Sequence, residues 1–219
     1  MNKIIIRKKT KSKIITLFLK HIKENKRYYL IATGTFIIGF LIGIVFINNL
    51  RQEQLNEIIM YIKYLNNNLK NTEKIDYIYL LKQSIISNAI IILIIWIAST
   101  TIIGIPIVYA EIIYRGFVLG YTICSVLFTF GIKDGTIYNI STLLLHNIIF
   151  IPVLFATAVK GMKAYQSIIN NRKKENIKLE FLRHTLFMVI MLILLIISSV
   201  IEVYFSTNLS KFILKFIKI

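Results

Sequence analysis

Apolar residues along this chain gather into unbroken blocks, not into the interrupted stripes of a water-soluble domain. A helical block of about 20 apolar residues crosses a hydrocarbon core of roughly 30 Å. Five such blocks occur, at residues 28–47, 84–103, 107–130, 137–159 and 185–205. They predict an all-α fold, a polytopic bundle of five transmembrane helices in a single membrane domain over 1–219. Polar or charged residues close each block, for example Asn48, Asn49 and Arg51 after the first and Lys160 and Lys163 after the fourth. Between the first two blocks, residues 48–83 place Leu55, Ile58, Ile59, Ile62, Leu65 and Leu69 on one helix face, and Glu53, Glu57, Lys63 and Lys70 on the other. This spacing predicts an amphipathic helix that lies on the membrane surface, against a partner, or on the protein's own bundle. The tail, 206–219, alternates basic and apolar residues from Lys211 onward, is too short to span, and is expected in the interface.

Charge sets the expected orientation. The net charge is +17. With the N-terminus in the cytoplasm, the inner side carries ten Lys and Arg in the basic segment 1–27, Arg115 at the second turn, and seven in the basic loop 160–184. The outer side carries five in 48–83, Lys133, and three in the tail. The excess inside predicts a cytoplasmic N-terminus and an extracytoplasmic C-terminus. The same distribution explains the basic composition without nucleic acid, which is not expected as a partner. The first block follows 27 residues, is of full bilayer length and precedes no small-x-small site, so a retained anchor fits it better than a cleaved signal peptide.

Several residues inside the blocks carry packing or polar chemistry. Gly39 and Gly43 in the first block and Gly116 and Gly120 in the third form two GxxxG spacings. Such spacings bare a helix face for close approach, either within one chain or between copies in a homo-oligomer. Gly104 and Pro106 predict a tight turn into the third helix. Glu111 and Arg115 stand one turn apart in the order that favours an ion pair. His146 and Asn147 fall mid-block, Pro152 leaves the Ile148 carbonyl without its usual donor, and Glu202 lies near the outer end of the last block. Polar groups at such depth either bond neighbouring helices or line a cavity.

Catalytic chemistry finds little to stand on. No P-loop, GxGxxG, HExxH, CxxC or HxxxH spacing occurs. His21, His184 and Cys124 are scattered, and no metal or other cofactor is expected. An outer loop of this size cannot build its own core without disulfides or a metal. The chain is expected not to be an enzyme.

Longer runs resemble a known family. Trp96-Ile-Ala-Ser-Thr-Thr-Ile-Ile-Gly-Ile-Pro106, Tyr114-Arg-Gly-Phe-Val-Leu-Gly-Tyr121, Phe130-Gly-Ile-Lys-Asp-Gly135, His146-Asn-Ile-Ile-Phe-Ile-Pro152 and Ile201-Glu202 are similar to the stage II sporulation protein M family of endospore formers. The first block, from Gly34 to Asn49, fits as well, so the resemblance covers nearly the whole chain. One departure is Leu145, where that family usually has a proline. The resemblance implies a membrane scaffold for engulfment, at the sporulation septum or engulfing membrane. Its implied partners are the peptidoglycan-degrading stage II D and P proteins, and no catalytic residue carries over. The polar groups in the membrane keep a second expectation open, a permease-like subunit of a transporter.

Overall fold

The structure is a computed structural model that describes residues 22–72, 74–101, 103–170 and 177–217. His21, most of the basic segment 1–27 and the middle of the basic loop 160–184 lie outside the described residues. The elements are helices throughout: α1 (Lys26–Asn48), α2 (Gln52–Asn71), α3 (Tyr77–Thr100), α4 (Gly104–Asn170), α5 (Ile177–Ile201), a π-helical turn (Glu202–Ser206) and α6 (Thr207–Leu214). Helix α4 is broken at Gly131, where φ is 79° and ψ is 171°. Only glycine takes that backbone readily, so a single residue turns the chain and leaves two arms, 104–130 and 132–170. Five segments are long and apolar enough to cross a membrane: one each in α1 and α3, two in α4, and one running from α5 into α6. A helix bonds its backbone groups within itself, which meets the main demand of hydrocarbon.

Successive spans alternate in direction. At one end, Tyr28 donates to Gln166 Oε1 over 2.6 Å, and the α3–α4 turn is closed by Gly104 N bonding Thr101 O at 3.2 Å. A side chain at Gly104 would run into the Ala98 carbonyl. At the other end stand the Gly131 turn, α2 and α6. Asp76 caps α3 there by accepting from Tyr79 N at 2.9 Å. Helix α2 rests on the protein's own bundle: Asn66 Oδ1 accepts from Tyr138 on α4 at 2.7 Å. It exposes Met60, Tyr61, Tyr64 and Leu65, of which Tyr61 and Leu65 also border a pocket between α2 and α4. Lys211 on α6 reaches the Thr72 carbonyl just after α2, and Tyr77 bonds Asn208 at 2.7 Å.

The core lies among α3, both arms of α4 and α5, where Ile91, Ile95, Ile112, Leu154, Ala158 and Leu195 are buried. Helix α1 joins it by a different kind of contact. Its Gly39 and Gly43 lie on the backbone of Ile113, Phe117 and Tyr121, while Gly116 and Gly120 lie on the backbone of Phe36 and Phe40. A Cβ on Gly43 would sit 2.8 Å from Tyr121 N, and one on Gly116 would sit 2.9 Å from Phe40 N. Each GxxxG face is the other's partner, and both are occupied within one chain. Phe46 and Phe117 flank the seam edge to face at 5.7 Å. Gly34, further along α1, meets nothing within 4 Å.

These environments separate the glycines by substitution. Gly116→Ala must push α1 off α4 and is expected to destabilise by about 1–3 kcal/mol. Gly34→Ala is expected to stay within about 0.5 kcal/mol of the parent. Mixed-micelle unfolding followed by helicity checks both; equal effects would contradict the seam.

Candidate functional site

Polar side chains that the sequence scatters over four spans meet in one chamber. On the first arm of α4, Glu111 Oε1 holds Arg115 Nε at 3.0 Å. The guanidinium carbon of Arg115 stands 5.6 Å from the centre of the Phe150 ring on the second arm. Phe150 in turn stacks on His146 with centroids 5.1 Å apart. A guanidinium is the cation best suited to an aromatic face in a dry setting, because it is weakly hydrated and planar.

From His146 the network crosses to α5 and the π turn. His146 Nδ1 lies 2.9 Å from Ser198 Oγ and 3.6 Å from Glu202 Oε2. That same carboxylate oxygen accepts from Ser84 Oγ on α3 at 2.6 Å. One turn further along α3, Asn88 donates to Ser199 Oγ at 2.8 Å. Ser198 and Ser199 are both fully buried. Glu202 opens the π-helical turn, whose extra residue shifts the register of everything beyond it.

The chamber these groups enclose has a volume of about 420 Å³, within the usual range for small-ligand cavities. Its wall includes Arg115, His146, Asn147, Glu202, Ser84 and Asn88. Asn147 donates to Leu143 O of its own helix at 2.8 Å, so its bond is local although its side chain borders the space. Beside the chamber, between the two arms of α4, runs an apolar groove of about 590 Å³ that reaches Pro152. Leu119, Leu143 and Asn147 belong to both walls.

The candidate residues thus fall into three groups. Gly39, Gly43, Gly116 and Gly120 build the α1–α4 seam, and Gly104 and Pro106 build the α3–α4 turn. Arg115, His146, Asn147 and Glu202 border the chamber, with Glu111 behind Arg115. Pro152 borders the groove alone. Sequence reasoning passed over Ser84, Asn88, Ser198 and Ser199. Their signal was present: Ser84 and Asn88 stand at i and i+4, and Ser198 and Glu202 do likewise, which puts each pair on one face. Small polar residues in membrane helices are common enough that single ones carry little signal. Among the described residues no group of three His, Cys, Asp or Glu is arranged to hold a metal ion.

A family model, stage II sporulation protein M, matches residues 32–207. The chain belongs to the stage II sporulation protein M family. The match runs from α1 through the π turn and takes in the seam and every chamber residue named above. No curated protein and no solved structure matches the chain. Membership in this family and five apolar helices make it a sporulation-associated, multi-pass membrane protein.

Because the chamber's bonds join different helices, their removal is expected to loosen the bundle. Ser198→Ala and Asn88→Ala are each expected to cost roughly 0.5–2 kcal/mol, the range for interhelical hydrogen bonds in membranes. Combining Ser198→Ala with His146→Ala is expected to cost less than the sum of the two, since both break the same bond. Mixed-micelle unfolding of the four proteins checks this, and strict additivity would separate the two residues.

Proposed function

We propose that this protein is a non-enzymatic membrane scaffold for engulfment, which recruits peptidoglycan-degrading partners to the sporulation septum or engulfing membrane. The partners implied by family resemblance are the stage II D and P proteins. The observation that carries the reading is the outward face of α2. Met60, Tyr61 and Tyr64 are each more than 60% exposed there, on a helix already fixed to the bundle through Asn66 and Tyr138. Tyr and Met are residues that protein interfaces favour, and a rigid support lowers the ordering cost of binding. At that end the described chain outside the spans amounts to α2 and short turns, which provides an anchor for a partner and no separate core for a wall-cutting domain. In this reading the N-terminus is cytoplasmic and the Gly131 end faces outward, the side on which peptidoglycan lies.

Loss of the gene is expected to stop engulfment and leave vegetative growth unchanged. The double variant Tyr61→Ser, Tyr64→Ser is expected to remain in the membrane and lose most co-purification of the wall-degrading partners from sporulating cells. Undiminished co-purification would remove α2 as the docking face. Reporter fusions at residue 131 and at the N-terminus check the orientation, and both on one side would overturn it.

The chamber favours a second reading, a permease-like subunit, because its charged groups stand where a path through the bundle would need them. His146→Ala discriminates. Engulfment lost while localisation and partner binding persist supports a conduit; loss of partner binding along with engulfment supports the scaffold.

A further inference from the structure

We propose that the bundle holds one amphiphile carrying a phosphate and an amine, with its polar head in the chamber and a hydrocarbon chain along the groove between the arms of α4. This goes beyond the scaffold reading and does not depend on it. The first argument is the pairing of the two spaces. A polar chamber and an apolar groove share Leu119, Leu143 and Asn147 as wall, so a molecule that is polar at one end and apolar at the other can fill both. A water-soluble ligand would leave the groove unexplained, and a simple hydrocarbon would leave the charges unmet.

The second argument is the hydrogen-bonding capacity that these paired groups leave unused. Arg115 commits Nε to Glu111 at 3.0 Å and lays its plane beside Phe150, while its two Nη groups bond no described residue. Their planar fork fits two oxygens of a phosphate. Across the chamber Glu202 commits Oε2 to Ser84 and His146, while Oε1 bonds no described residue. A carboxylate oxygen held at a fixed place can accept from an ammonium group. An open guanidinium fork and an open carboxylate oxygen bordering one chamber select a zwitterion over an anion. A ligand that meets both atoms completes bonds that the bundle leaves open.

The class of compound is a phospholipid with a phosphoethanolamine head, and a soluble phosphate–amine compound is the competing source of the same head chemistry. The test uses the full-length protein purified in mild detergent and supplied with equimolar phosphatidylethanolamine and phosphatidylglycerol of identical chains. Native mass spectrometry then reads the lipid retained. The expected result is one retained phosphatidylethanolamine, preferred by about tenfold, the scale of one charge-assisted contact. Glu202→Gln is expected to abolish the preference while lipid is still retained, and Arg115→Gln to reduce retention of both lipids. Leu119→Trp, which narrows the groove and leaves every charge in place, is expected to reduce retention as well, and serves if Arg115→Gln does not fold. Two results overturn the proposal. One is retention in proportion to abundance that none of the variants alters, which is the behaviour of surrounding bilayer lipid. The other is thermal protection by glycerophosphoethanolamine equal to that by the lipid, which assigns the head site to a soluble compound.

Discussion

The contact on which the bundle turns is backbone against backbone, between α1 and the first arm of α4. Lipid chains are as apolar as leucine, so burying leucine between helices gains little over leaving it in the bilayer; close packing and hydrogen bonds have to hold the spans together. Four glycines supply the packing here. Gly39 and Gly43 lie on the backbone around Ile113 and Phe117, and Gly116 and Gly120 lie on the backbone around Phe36 and Phe40. The seam fixes the first arm on one side. Arg115 is one residue before Gly116, so the face of the arm that turns from α1 is the face that carries the guanidinium into the chamber.

Hydrogen bonds hold the other side. Ser84 and Asn88 on α3, His146 on α4, and Ser198, Ser199 and Glu202 at the end of α5 are matched across the helices and not along them. Elsewhere the buried hydroxyls of Ser99, Ser125, Thr157 and Ser210 are satisfied within their own helix, Thr157 by Val153 O at 2.7 Å. The chamber is therefore one place where the bundle departs from self-sufficient helices. A departure of this kind specifies which helix neighbours which, because an alternative arrangement leaves several polar groups facing hydrocarbon.

Much of the fold was legible in the sequence because the bilayer fixes the length of a span. The break at Gly131 was less so: Phe130-Gly-Ile-Lys-Asp-Gly135 reads as a turn of several residues, and the structure makes the turn with one. The destination of α2 could not be read either, since an amphipathic face looks the same whether it meets lipid, a partner or the protein itself; the bond from Tyr138 to Asn66 decides it. For the site, His146 and Glu202 could be picked out inside their apolar blocks, whereas Arg115 reads as a residue of the second turn. That they converge could not be read, because Arg115, His146 and Glu202 are joined only by the mutual rotation of three helices. The π turn adds a register shift at Glu202 that a regular helical wheel does not contain.

The one-residue joint at Gly131 has a mechanical consequence. Both arms of α4 border the chamber and the groove, and at their common end there is no slack, since a single non-helical residue separates them and the Cβ of any residue replacing Gly135 would lie 3.0 Å from Leu127 Cα. The arms cannot part there. Any widening between them has to grow with distance from the joint, as the jaws of a pair of tongs open from a fixed pivot. The glycine seam on the first arm and the serine and histidine bonds of the second then act as the springs that set how far the jaws stand open.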